Sequence, residues 1–100
     1  MANRCFFFAA DSATDMACID SDRVTDLEVA DATTVTVNFA TNAGGNGAIT
    51  LGVTSGKADD VVKAIARLVL TGRGVITLGD DVNSVYGIDG IEEVDTITHS

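Results

Sequence analysis

Proline is absent from this chain. Every backbone N–H is therefore free to enter a ladder or a helix, and turns fall to Gly, Asn and Asp. Histidine is nearly absent: the penultimate residue, His99, is the only one. A Ser-His-Asp or Cys-His arrangement would have to recruit it from the chain end, and no serine stands in a Gly-x-Ser-x-Gly setting. Enzymatic activity is not expected. Basic residues are also scarce, 6 against 15 acidic ones, for a net charge of −9. So few cations cannot make a phosphate-backbone footprint, which argues against a nucleic-acid partner. No apolar run approaches the ~18 residues that a membrane span needs. The first residues, Met-Ala-Asn-Arg, do not open a basic, apolar, small-residue signal pattern, so the protein is expected to stay where it is made. Cysteine is limited to Cys5 and Cys18, with no C-x-x-C. Both lie in apolar-leaning segments and read as reduced, buried small hydrophobes.

What is present describes one globular domain over residues 1–100, with 46% hydrophobic and 21% charged residues. The acids are 12 Asp against 3 Glu. Asp favours turns and caps where Glu favours helix interiors, so the bias fits a strand-and-turn chain with one helix. The acidity is mostly a matter of solubility, and it leaves open mimicry of nucleic acid towards a basic partner.

The helix is the strongest local signal. Ala58, Val61, Val62, Ile65, Leu68 and Val69 recur at helical spacing, which predicts a helix over about 55–72. Ser55 is the expected N-cap, Asp59 and Asp60 suit the positive end of the dipole, and Gly72 is the expected left-handed residue past the C-terminus. Asp59 stands four residues before Lys63, a favourable ion-pair spacing. With Ala64, Ala66 and Leu70 included, the apolar arc spans about 240°, more than a one-sided surface helix needs. That excess predicts cover from a second direction, by a loop, a sheet edge or a neighbouring chain, at Ala66 and Leu70.

The flanking segments alternate. Arg4 to Ala10 is a short continuous apolar run holding Phe6, Phe7 and Phe8, as in a strand buried on both faces. Met16 to Ile19 is a short strand closed by Asp20, Ser21 and Asp22. Val24–Ala30 and Thr33–Thr41 read as a hairpin; Val35, Val37 and Phe39 face one way, and Thr34, Thr36 and Asn38 the other. Ile49, Leu51 and Val53 alternate in a third strand that pairs back and feeds the helix. Val75–Leu78 follows, then a short strand starting at Val85 and Tyr86, and a final edge strand Ile91–Thr98 guarded by Glu92, Glu93 and Asp95. The class is α+β: an antiparallel-rich sheet of about five to six strands with one amphipathic helix on a face. A single helix covers only part of such a sheet, so an apolar face is left for loops or another copy.

Candidate ligand sites are weak. Asn42–Gly47 is glycine-rich but leads into a strand and lacks the Gly-Lys-Ser/Thr of a phosphate loop. Asp80, Asp81, Asn83 and Asp89 offer oxygen ligands for a cation, but the EF-hand order fails at Val85 and Tyr86. A solvated turn is the simpler expectation, and no cofactor or metal is assigned. Lys63 and Arg67 are expected to pair with carboxylates. Tyr86 is read as core or interface.

Three stretches carry a family resemblance: Ala32–Phe39, the strand-to-helix passage Ile49–Lys57, and Gly74–Tyr86. Over roughly residues 24–88, about two thirds of its length, the chain resembles small structural-type proteins, mostly uncharacterised, of marine tailed phages of the cyanophage kind. These motifs are structural, and the family supplies no active site to carry over. The resemblance implies a phage origin and a role in or near the virion, reached from the host cytoplasm. The expected function is thus a non-enzymatic virion protein, either a capsid decoration or cement protein or a small tail-associated component. Its partners would be copies of itself and other virion proteins such as the major capsid protein, with no nucleic acid and no membrane. Phe6, Phe7, Phe8, Ala66, Leu70 and Tyr86 are the expected interface residues. The alternative is a small acidic phage regulator that binds a basic host protein; a cation- or ligand-binding module at Asp80, Asp81 and Asn83 is a weaker third.

Overall fold

The computed structural model describes residues 5–41 and 45–98; His99 and the loop residues 42–44 lie outside them. Among the described residues, seven strands, one α-helix and a 3-10 turn at Ser21–Arg23 are present, the strands and α-helix in the order β1 (Cys5–Ser12), β2 (Asp15–Asp20), β3 (Val24–Asp31), β4 (Thr34–Ala40), β5 (Asn46–Val53), α1 (Ala58–Thr71), β6 (Gly74–Asp80), β7 (Ile91–Thr98). The class is α+β, antiparallel-rich, with one helix packed on a sheet. The strands divide between two sheets, one of order β2-β1-β6 and one of order β3-β4-β5-β7. All pairings are antiparallel except β1 with β6.

Period-two patterning builds the four-stranded sheet. In β4, Val35, Val37 and Phe39 are buried, while Thr34, Thr36 and Asn38 are half-buried on the outer face. Register places Val35 beside Leu51 and Val37 beside Ile49, and Ile49 in turn beside Ile97, so the three strands share one inner face. The outer face is polar; Thr36, Thr50 and Thr96 form a row across it, and Asn38 Nδ2 donates to Glu28 Oε1 at 2.9 Å. β7 ends this sheet, with Glu92, Glu93 and Asp95 exposed as an edge strand requires.

The inner face of the four-stranded sheet is covered by two elements. α1 lies over β3 and β4, and the three-stranded sheet lies over β7. Phe7, Ala9, Ile19 and Leu78 from the smaller sheet join Val61 and Ile65 of α1 in one core with Val37, Leu51 and Val94. β1 is the central strand of its sheet, but it is not buried on both faces as its apolar run suggested: Phe7 and Ala9 are buried, whereas Phe6 is exposed and Phe8 half-buried on the other face.

Local chemistry moves the start of the helix and changes how its end is capped. α1 starts at Ala58, and Lys57 takes the N-cap position with no side-chain cap bond. Ser55 instead sits in a turn closed by Lys57 N–H donating to Thr54 O at 2.9 Å, with Gly56 at φ +88°. A turn with positive φ at its third position needs glycine there, and it displaces the capping serine from the helix end. At the other end Gly72 is extended, φ −70°, and not left-handed; its N–H donates to Leu68 O at 2.7 Å. The left-handed residue is Gly74, φ +74°. Asp59 and Asp60 occupy the first turn, and Lys63 Nζ lies 3.1 Å from Asp59. Val85 makes only an isolated bridge to Asp80, so no strand forms at Val85 and Tyr86.

Candidate interaction surface

The outer face of the three-stranded sheet is apolar. Strand register sets Phe6 beside Val75 and Phe8 between Cys18 and Thr77, while Met16 lies opposite Ala10. Cross-strand partners share a face, so Phe6, Phe8, Met16, Cys18 and Val75 all look away from the core. Phe6 is 39% exposed, Met16 42% and Val75 67%. Phe8 is half-buried among them and Cys18 is exposed. Asp20 and Thr77 share this face with them, and exposed apolar side chains grouped inside a polar rim are typical of interaction sites. Leu70, 75% exposed, stands at the end of α1 just before the short link to β6. Ala66 is exposed on the same helix, whereas Val61 and Ile65 are buried, so the chain leaves the outer flank of the wide helical stripe uncovered.

The interface residues expected from sequence thus separate. Phe6, Phe8, Ala66 and Leu70 reach the surface to different degrees, but Phe7 is 0% exposed and belongs to the core, because alternation turns it inward between its neighbours. Tyr86 packs against the core, and its hydroxyl donates to Asp81 Oδ1 at 2.8 Å. That bond pushes the Tyr86 hydroxyl pKa up. Val75, Met16 and Cys18 were not singled out from sequence; their signal is alternation, with Ile76 and Ala17 turned inward between outward neighbours. Cys5 is buried as expected, but Cys18 is not, since β2 turns it to the outer face.

The acidic loop spends its oxygens internally. Asp80 Oδ1 accepts Val82 N–H at 3.0 Å and Asn83 N–H at 3.2 Å, and Oδ2 accepts Asn83 Nδ2 at 2.9 Å. The Asn83 side chain, foremost, holds Asp80 below the usual carboxylate pKa. Asp81 accepts Val94 N–H at 3.1 and 3.2 Å through its two oxygens, tying the loop to β7. Among the described residues no three His, Cys, Asp or Glu side chains gather as a metal-binding group. Asn46 and Gly47, at the end of the glycine-rich loop, are already in β5.

Two clefts accompany these surfaces. One, about 440 Å³, is lined by Phe6, Cys18, Ile19, Asp20, Arg23 and the Phe39–Thr41 end of β4. The other, about 460 Å³, is bordered by Thr33, Thr34 and the carboxylates of Glu92, Glu93 and Asp95. Asp95, through a shared hydrogen bond and its charge, raises the Glu93 pKa above 4.5. The folded state therefore holds the Glu93 proton more tightly than the unfolded chain does. This contribution is intact at low pH and is lost as pH rises from the unfolded value through the raised folded one. Asp31 acts oppositely: the Thr33 backbone N–H, foremost, lowers it below 3.8, and its contribution is lost on acidification through that lower range. Glu93→Gln is expected to flatten the decline in stability above pH 4.5 and to leave the more acidic limb unchanged, as read by denaturant midpoints across pH. An unchanged slope in the variant would remove Glu93 as the source.

Comparison with known protein families, curated proteins and solved structures finds no match to this chain.

Proposed function

We propose that this chain is a non-enzymatic structural protein that works by packing against other chains in a phage particle. It acts as a capsid decoration or cement protein, or as a small tail-associated component, beside copies of itself and proteins such as the major capsid protein. One observation carries the packing role: the apolar outer face built by Phe6, Phe8, Met16 and Val75 on a chain whose own helix is used on the other sheet. The particle setting rests on the resemblance of residues 24–88 to proteins of marine tailed phages. The mechanism is passive. Removing apolar surface from water is worth about 25 cal/mol per Å², and that gain is available to a neighbour that fits the face. No cofactor, nucleic acid or membrane takes part, and the protein passes from the host cytoplasm into the virion.

A second reading, a small acidic phage regulator that binds a basic host protein, draws on the charge of −9 and the cleft edged by Glu92, Glu93 and Asp95. Mass spectrometry of purified virions separates the two, because a regulator is absent from particles. Purified chain is expected to adsorb to particles that lack it, and Val75→Lys to abolish adsorption while leaving the fold intact, since Val75 is exposed. Absence from virions, or adsorption indifferent to Val75→Lys, sinks the packing role.

A further inference from the structure

Among the described residues three are asparagine, and the fold holds them differently. Asn38 is half-buried on β4, and its Nδ2 donates to Glu28 Oε1 at 2.9 Å. Asn83 Nδ2 donates to Asp80 Oδ2, also at 2.9 Å. Asn46 is exposed at the first position of β5, and its carboxamide makes no hydrogen bond among the described residues. It is also the one of the three that precedes a glycine. Glycine has no side chain to crowd its own backbone nitrogen. Packing requires the glycine: Gly47 is buried, and a Cβ on it would meet the Phe39 ring at 2.5 Å and Thr98 O at 2.7 Å. The β4–β5 ladder thus fixes a glycine directly after an exposed, unheld carboxamide.

We propose that Asn46–Gly47 is a site of spontaneous covalent modification, at which Asn46 loses its side-chain nitrogen. The Gly47 nitrogen attacks Asn46 Cγ, and the Cγ–Nδ2 bond breaks. The proton from the Gly47 amide leaves with Nδ2 as ammonia, and a cyclic imide remains. Water then opens the imide. Addition at Cγ gives an ordinary aspartate; addition at the main-chain carbonyl gives an aspartate linked through its side chain. Water is the only co-reactant, and nothing is oxidised or reduced. The fold governs the rate. An extended backbone turns the Gly47 nitrogen away from Asn46 Cγ, so the ring closes when the strand end opens. That end is lightly held: Asn46 pairs with Ala40 on one side, whereas the β5–β7 register begins at Ala48. Beyond it the hairpin keeps Thr41 N–H on Gly45 O at 3.0 Å and Gly45 N–H on Thr41 Oγ1 at 3.1 Å. Element ends open locally at far less than the cost of global unfolding. Asp89–Gly90, the other acid or amide before a glycine, is protected differently. Its carboxylate faces Lys57 Nζ at 3.6 Å, and an anion is a poor target for a nucleophile. At Asn46 each event adds one negative charge to a chain of net −9, opposite Ala40. The side-chain-linked product also lengthens the main chain by one carbon, which disturbs the β4 wall of the cleft of about 440 Å³ at Ala40 and Thr41. The inference is independent of the packing role.

The test ages the full folded chain at mildly alkaline pH and follows it by intact mass and peptide mapping. The expected result is the mass gain of exchanging NH2 for OH, located at Asn46, and slower than in the same chain unfolded in guanidinium. A methyltransferase specific for side-chain-linked aspartate, supplied with labelled S-adenosylmethionine, is expected to label the peptide containing residue 46 in aged chain but not in fresh chain. Asn46→Gln, whose longer side chain closes such a ring far more slowly, is expected to lose both the mass gain and this label. Aged chain is expected to exchange the Thr41 amide faster, with β1 amides unchanged. Folded chain that gains no mass while the unfolded chain converts overturns the proposal, as does conversion of any other asparagine before Asn46. Retention of the mass gain in Asn46→Gln overturns it as well. Adsorption of Val75→Lys to particles bears on the packing role alone.

Discussion

Replacing Phe7 with alanine is expected to destabilise the protein by about 3–5 kcal/mol, most of the stability of a marginal domain. The ring is 0% exposed on the central strand of the smaller sheet, between Ile19 on β2 and Ile76 on β6. Nothing in a closely packed interior can move in to fill the space of a benzyl group without loss of contacts elsewhere. The neighbouring Phe6→Ala is the informative comparison. Its side chain is on the outer face and 39% exposed, so its loss in urea midpoint is expected to be clearly smaller, while its effect on association is larger. Equal losses of stability at the two positions would mean that the inward and outward assignment of β1 is wrong.

The second large effect is expected at Gly72, where alanine should cost about 1–3 kcal/mol by overpacking. The backbone there is ordinary, φ −70°, so the cost is spatial and not conformational. A Cβ would meet Leu68 O at 2.6 Å, Ile76 Cδ1 at 2.8 Å and Cys5 Sγ at 3.0 Å. The same contact holds the Cys5 thiol, which donates to Leu68 O at 3.5 Å. A double-mutant cycle isolates the cause: in a Cys5→Ala background the penalty of Gly72→Ala should shrink, because one of the three obstructions is gone. Strict additivity, or a neutral Gly72→Ala, would contradict the close approach of α1, β1 and β6 at this point. Gly74→Ala is the matching control, since an added Cβ there meets no atom within 4 Å and its cost arises from φ +74° alone.

Gly72 and Gly74 also show what sequence patterning conveys. A glycine after a helix signals a helix end, and α1 does end there; which physical need the glycine meets depends on neighbours brought from β1 and β6. Patterning was most informative where one face is buried and the other wet. β4 and the body of α1 followed it closely, and Asp59 with Lys63 paired as spacing indicated. It was least informative about which strands belong together. Alternation assigns faces but not partners, so the split into two sheets and the parallel pairing of β1 with β6 had no local signature. The Phe6–Phe8 run hid its own alternation because both faces are apolar. For the same reason the exposed face was only partly legible: Leu70 stood out on a long helix, while Met16, Cys18 and Val75 alternate with inward neighbours that are apolar too, so neither face stood out.

The parallel pairing of β1 with β6 has a consequence for the order of events during synthesis. The register joins Cys5 to Gly74 and Phe6 to Val75, so the first strand made must wait for one of the last. Contacts so distant in the chain form slowly, because loop-closure entropy is lost before they return any stabilisation. The β1–β2 hairpin can close early, but its sheet is completed only after α1 and β6 have left the ribosome. The Phe6–Val75 half of the apolar outer face therefore matures last. A nascent chain cannot present that surface in full while most of its own core is still unmade, which, under the packing role proposed above, would delay association until there is a folded body to associate.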